Sequence, residues 1–263
     1  MGERTENAGG LEIEKNLVMN KEDYIFGTRA VIEAIKNGKP VDKVLVKKGG
    51  QNELHTELFQ LIREYNIPVQ AVPIEKINRI TRKNHQGTVA LLSPIEFENI
   101  GTILPGLFEK GVNPFILILD QITDVRNFGA IVRSAECVGV HAIIIPERGM
   151  ARISADAVKT SAGALLNVPV CREKSLTETL QYLKNSGMKI IAANEKAQTS
   201  YTETKMDVPL AIVLGSEDKG ISSNVLKHVD VEVKIPIMGK IGSLNVSVAV
   251  AVMLYEAVRQ KIN

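Results

Sequence analysis

Residues Leu210 to Arg259 read LAIVLGSEDKGISSNVLKHVDVEVKIPIMGKIGSLNVSVAVAVMLYEAVR. Two strand-like runs, 210–214 and 231–235, each lead into a glycine-bearing turn, GSEDKG and MGKIGSLN. Short apolar runs bounded by turn residues are the pattern of strands buried in a parallel sheet. Loops that leave such strands present backbone groups to ligands. The stretch therefore reads as the ligand cradle of an α/β sheet. Gly215 allows close backbone approach, and amides ahead of the next helix suit an anion or an adenosine. In the second turn Gly239 and Gly242 predict a tight path. Ser243 and Asn245 then stand at the mouth of an apolar helix, with Ser243 the expected cap.

Working outward, the same pattern continues upstream. Further strands are expected at 115–119, 142–145, 168–170 and 189–193, with helices at 127–139, 176–185 and 223–228. The last helix shows almost no polar face before Glu256, so it must be buried on several sides, by the sheet or by another subunit. Earlier in the chain, periodicity predicts a helix over 23–36, a strand at 44–46, a helix over 52–65, a strand at 67–72, a short helix at 74–82 and a strand at 88–92. That αβαβαβ order implies a small three-layer domain. The expected division is a tail over 1–20, a domain over 21–94, a linker over 95–113 punctuated by Gly101, Pro105, Gly106 and Gly111, and a second domain over 114–263.

Composition narrows the class. The chain has 263 residues, 44% hydrophobic and 24% charged, with a net charge of +2. No apolar run is long enough to span a bilayer, and the N-terminal residues lack an apolar signal core, so no membrane partner is expected. Cys137 and Cys171 sit beside apolar residues without metal-ligand spacing, which predicts buried thiols in a reducing cytoplasm. The small net charge confines any RNA contact to a local patch. Lys76, Arg79, Arg82, Lys83 and His85 form one candidate, suited to phosphates, or else a solvated helix face. Few aromatics accompany it, so shape and phosphate recognition is expected rather than base stacking.

The run LDQITDVRNFG, 119–129, has no Gly-rich fingerprint of a dinucleotide fold. Asn127 reads as an N-cap, a role compatible with catalysis. Arg133 reads either as a site residue or as a surface partner of Glu136 at i+3.

Together, three stretches resemble motifs 1, 2 and 3 of the SpoU (TrmH-type) RNA 2′-O-ribose methyltransferases. They are Asn127-Phe128-Gly129 with Arg133, Leu214-Gly215-Ser216-Glu217 with Gly220, and Ile235-Pro236-Ile237 with Ser243-Leu244-Asn245-Val246-Ser247-Val248-Ala249. The resemblance implies an α/β fold with a mostly parallel sheet and a C-terminal segment tucked as a trefoil knot. It also implies a homodimer and S-adenosyl-L-methionine as cofactor. Residues 24–31, with Arg29, and Asn84-His85-Gln86-Gly87 resemble the substrate-binding domain of the RlmB-type subgroup, which modifies a guanosine in large-subunit ribosomal RNA. By resemblance, Leu214, Gly215, Gly220, Ile235 and Leu244 hold the cofactor. Arg133, Asn127, Glu217, Ser243 and Asn245 serve the reaction, and Arg29, Arg79, Arg82, Lys83 and His85 face RNA. Alternatives within this resemblance are a transfer-RNA enzyme, an antibiotic-resistance ribosomal methyltransferase, and a non-catalytic RNA binder.

Overall fold

In the computed structural model, which describes residues 23–49 and 53–262, the chain forms two sheets. The tail expected over 1–20 lies outside the described residues. Tyr24 and Phe26 join one apolar cluster while Ile25 joins another. This period of two makes strand β1 (Tyr24–Phe26), where a helix was expected. Gly27, at φ +91°, turns the chain into α1 (Thr28–Lys36), which corrects the helix start. There follow β2 (Val41–Lys47), α2 (Glu53–Glu64), β3 (Val69–Val72), α3 (Ile74–Ile80) and β4 (Thr88–Leu92). The sheet order is β1-β4-β2-β3, with β4 antiparallel to both neighbours and β2 parallel to β3. Val31 and Ile35 of α1 and Leu58 of α2 cover one face. Ile77 of α3 covers the other, giving the three expected layers.

The segment expected as a linker carries α4 (Ile100–Glu109). The Asn99 side chain caps it, accepting from Gly101 N at 2.7 Å. Ile100 and Leu104 bury against Ile116, Ile118 and Leu180. Pro105 and two glycines make this a poor helix by propensity, but a buried apolar face outweighs propensity.

The second sheet is built from β5 (Phe115–Asp120), α5 (Val125–Cys137), β6 (Ala142–Pro146), α6 (Ala155–Thr160), β7 (Val170–Glu173), α7 (Leu176–Asn185), β8 (Lys189–Ala193), β9 (Thr199–Ser200), β10 (Leu210–Gly215), α8 (Ser223–Leu226), β11 (Val231–Lys234) and α9 (Val246–Ile262). Of these, α6 and β9 lack a sequence signal strong enough to be expected, and β7 begins two residues later than its apolar run suggests. The strand order is β7-β6-β5-β10-β8-β11-β9, and every pairing is parallel. One cluster, with α5 and α9, covers one face; another, with α4, α7 and α8, covers the other. Because all seven strands point the same way, their C-terminal ends form one continuous edge.

Helix α9 packs against α5, burying Val250, Met253, Leu254 and Ala257. Gln260 fastens its end: Nε2 donates to Thr204 O, and Oε1 accepts from Met206 N at 2.7 Å. Yet Val248, Tyr255 and Ile262, seven residues apart, are 48%, 56% and 78% exposed. They form one uncovered apolar stripe. Cys137 is exposed, against expectation, whereas Cys171 is buried and its thiol is pushed up to about 12, chiefly by burial. Among the described residues no helix is long and apolar enough to cross a membrane.

Candidate active site

Strands β5 and β10 are neighbours, with Asp120 opposite Gly215. The loops that follow them therefore meet. Asp120 is 4% exposed, and its Oδ2 accepts from Ser222 N at 2.7 Å. This single buried carboxylate ties the end of β5 to the far side of the loop after β10. Sequence reading passed over Asp120, because nothing in the local pattern distinguishes it from an ordinary strand-end aspartate.

The loop after β10 is folded tightly on itself. Gly220 N donates to Ser216 O at 2.8 Å, closing a bridge between the two residues. A Cβ on Gly215 would penetrate the carbonyl group of Gly220 and the nitrogen of Ile221. Only glycine fits there. Gly220 itself adopts φ +65° with open space around it. Gly239 and Gly242 also have open space around them, so neither position requires glycine for close approach.

Capping falls to different residues than expected. Asp124, not Asn127, caps α5: its Oδ1 accepts from Arg126 N and Asn127 N, both at 2.8 Å. Asn245, not Ser243, caps α9, its Oδ1 accepting from Ser247 N at 3.0 Å. These assignments free the Asn127 side chain. Its Nδ2 donates to Glu217 Oε1 at 3.2 Å, and its Oδ1 accepts from Asn245 Nδ2 at 3.1 Å. Asn245 Nδ2 also donates to Glu217 Oε1, and Val246 N donates to the same oxygen at 3.0 Å. One carboxylate oxygen thus receives three donors from the starts of two helices, α5 and α9. Asn127 and Asn245 are 118 residues apart in the chain, and Asn127 and Glu217 are 90 apart. Ser243 and Arg133 are exposed, and among the described residues neither hydrogen-bonds to this cluster and Arg133 has no ion pair with Glu136.

Beside the cluster opens a cleft of about 280 Å³. Leu214, Ile235, Leu244 and Ala249 supply apolar walls; Gly215, Ser216 and Gly220 supply backbone. All five residues expected to hold a cofactor line it. Asn194, Glu195 and Lys196, which sequence reading missed, close its other side. The available signal was their position directly after strand β8. Asn194 is locked by donating from Nδ2 to Glu232 Oε2 at 2.6 Å. Apolar walls, close backbone and a few fixed polar groups suit a nucleoside-sized ligand with a polar tail.

The basic patch on the first sheet is split. Arg29, Arg82 and Lys83 are exposed, with the Lys83 ammonium 5.7 Å from the Phe26 ring centroid. His85 is buried and internally satisfied. Its Nδ1 accepts from Gly87 N at 3.0 Å, and its Nε2 lies 2.9 Å from Asn78 Oδ1. With Nδ1 accepting, Nε2 carries the proton and donates to Asn78. The expectation that His85 faces RNA is therefore replaced by a role in shaping the turn before β4.

Comparison with known proteins agrees with this geometry. Residues 114–255 match the model of the SpoU rRNA Methylase family, and residues 24–98 match that of the RNA 2′-O ribose methyltransferase substrate binding domain. A Bacillus subtilis (strain 168) protein named for the TrmH family of tRNA/rRNA methyltransferases is 33% identical over 92% of this chain and 97% of its own. The SpoU methyltransferase AviRb from Streptomyces viridochromogenes, solved with AdoMet, shares the fold at a TM-score of 0.58 and 23% identity, covering 91% of this chain and 90% of that one. A crystal structure of an RNA 2′-O ribose methyltransferase aligns at a TM-score of 0.54 and 25% identity, over 91% and 89% of the two chains.

Proposed function

This chain belongs to the SpoU rRNA methylase family, and we propose that it transfers a methyl group to the ribose 2′-hydroxyl of a guanosine in large-subunit ribosomal RNA. The observation that carries the reading is the convergence of Asn127, Glu217 and Asn245 beside a cleft lined by Gly215 and Leu244. On this reading residues 21–94 take up RNA, with Arg29, Arg79, Arg82 and Lys83 toward phosphates, and residues 114–263 carry the chemistry in the cytoplasm.

The cleft fits S-adenosylmethionine. Leu214, Ile235 and Leu244 offer apolar surface for a base, and the Gly215 wall admits close approach. When bound there, it supplies an electrophilic methyl group. The protein must then align the ribose oxygen and manage its proton. Asn245 spends both Nδ2 hydrogens on Asn127 and Glu217 and both Oδ1 lone pairs on Ser247, so it holds Asn127 in place, and the one N–H and one lone pair left on Asn127 are preset toward a hydroxyl. Glu217 acts as a positioning residue, since its Oε1 is committed to three donors. A guanidinium is a poor proton acceptor, so Arg133 is not cast as the base. Its role is to stabilise the developing alkoxide and the adjacent phosphate.

Incubation with methyl-labelled S-adenosylmethionine tests this. Label is expected in the 2′-O-methyl nucleosides of a ribosomal RNA transcript with the wild-type protein. None is expected with Arg133→Ala, which keeps wild-type cofactor affinity. Unchanged turnover in that variant removes Arg133 from the mechanism. Label in a transfer-RNA transcript alone exchanges the substrate for the second reading, which the tRNA/rRNA name of the B. subtilis relative keeps open.

The uncovered stripe of Val248, Tyr255 and Ile262 supports a homodimer through α9. Tyr255→Glu is expected to shift the protein from dimer to monomer in sedimentation velocity at micromolar concentration. A wild-type protein that sediments as a monomer rejects the assignment.

A further inference from the structure

A second cleft, of about 270 Å³, lies where the first sheet meets the edge of the second. Lys43 of β2 and Lys76 of α3 line it from one side, Glu147, Arg152 and Arg172 from the other. Its charges do not balance. Arg172 is matched by Asp42, Nη2 to Oδ1 at 2.8 Å and Nη1 to the Asp42 carbonyl at 2.7 Å. The same guanidinium lies 3.4 Å from the Phe97 ring centroid, so it is fully engaged. That leaves Lys43, Lys76 and Arg152 against Glu147. Among the described residues Lys43 and Lys76 have no ion-pair partner. Arg152 Nη2 donates to Asp23 O at 3.0 Å, but its Nε is buried with no acceptor among the described residues. A buried donor without an acceptor costs free energy that a ligand oxygen can recover. Leu45, Leu91 and Met150 add an apolar floor. Cations above apolar surface suit a phosphate attached to a sugar or base better than a bare inorganic anion.

The cleft also has a fixed relation to the candidate active site. It opens at Pro146 and Glu147, at the C-terminal end of β6, which pairs with β5. Neighbouring strands are about 5 Å apart, so the cleft begins one strand from the loop that leads into α5 and Asn127. The two loops are joined directly, Ala151 N donating to Ile122 O at 2.7 Å. Both sites therefore lie on the one edge formed by the parallel strand ends.

We propose that this interdomain cleft binds a phosphodiester of the RNA strand whose ribose is presented at Asn127 and Asn245. The assignment rests on the RNA methyltransferase reading above. Lys43 and Lys76 approach the phosphate from the substrate domain, and Arg152 approaches it from the catalytic sheet. One phosphate then bridges the two domains, and the continuity of the strand delivers the neighbouring ribose to the catalytic cluster.

The test compares wild type with Lys43→Ala/Lys76→Ala in the full chain, using protein-free large-subunit rRNA and transfer-RNA transcripts at several salt concentrations. Neither lysine is in the apolar core, so an unchanged melting profile is expected. For the RNA the wild type methylates, the double variant should bind several-fold more weakly, and its slope of log affinity against log salt should fall by about 0.7 per lysine. Its KM for RNA should rise while cofactor affinity and the rate at saturating RNA stay unchanged. Wild-type affinity and salt slope in a double variant that still methylates RNA overturn the cleft assignment and leave the enzymatic reading intact. Weakened binding of inorganic phosphate with unchanged RNA binding also overturns it, in favour of a small-anion site. A wild-type protein that neither binds nor methylates either transcript overturns the RNA reading first, and this assignment with it.

Discussion

Gly215→Ala is expected to reduce S-adenosylmethionine affinity at least about 100-fold, equivalent to roughly 2.7 kcal/mol. The added methyl has nowhere to go: it would overlap the Gly220 carbonyl and the Ile221 nitrogen, both backbone. A side chain could rotate away; a backbone closed by the Gly220 N to Ser216 O bond must open instead. Opening it withdraws one wall of the cleft. Gly220→Ala is the control. Its site has open space but a φ of +65°, so the cost is only the left-handed strain of about 1 kcal/mol. Equilibrium dialysis with labelled cofactor should rank wild type, Gly220→Ala and Gly215→Ala in that order. If Gly215→Ala binds within a few-fold of wild type, the cleft beside this loop is not the cofactor site.

Glu217→Ala should lower the rate of methyl transfer by about 100-fold at saturating cofactor and RNA, because misplacement of about 1 Å at a reacting centre costs that much. The variant removes one acceptor from three donors at once: the amides of Asn127 and Asn245, and the first backbone amide of α9. Stability should fall by only about 1 kcal/mol, the usual value of a helix-terminal bond. Glu217→Gln keeps an acceptor oxygen and should lie between. Single-turnover kinetics with a thermal melt separates the two effects. A transfer rate within threefold of wild type for Glu217→Ala would show that the cluster does not position the reacting groups.

Much of the architecture was readable from local patterns. Strand β5 and strand β10 are continuous apolar runs because a parallel sheet covered on both faces excludes water from every position. Helix α7 was located to the residue, since Ser175 caps it and Leu176, Leu180 and Leu183 face the core. The misses have specific causes. Tyr24, Ile25 and Phe26 fit both a strand and a helix over so short a run, and only pairing with β4 decides between them. The segment 95–113 looked like a linker because Pro105 and its glycines outweigh a modest apolar face until α4 meets Ile116 and Ile118. Cys137 reads as buried beside Ala135 and Val138, yet the turn of α5 points it outward.

The cradle in Leu210–Arg259 shows the same division. Residue type and order were enough to identify two strand-end turns, the glycine at 215, and three motif stretches whose combination marks the family. Chemistry of this kind is written in the sequence because only certain residues permit it: glycine where backbone meets backbone, amides and a carboxylate where hydrogen bonds must be exchanged. Which of those groups touch was decided by the fold. Asp124 and Asn245 took the capping roles, leaving the Asn127 side chain for Glu217. His85 turned inward, while Lys43 and Lys76 came to share a cleft with Arg152. Each such outcome depends on which donors and acceptors the tertiary structure brings within reach of one another. Such distances arise between residues far apart in the chain, where no local pattern carries information.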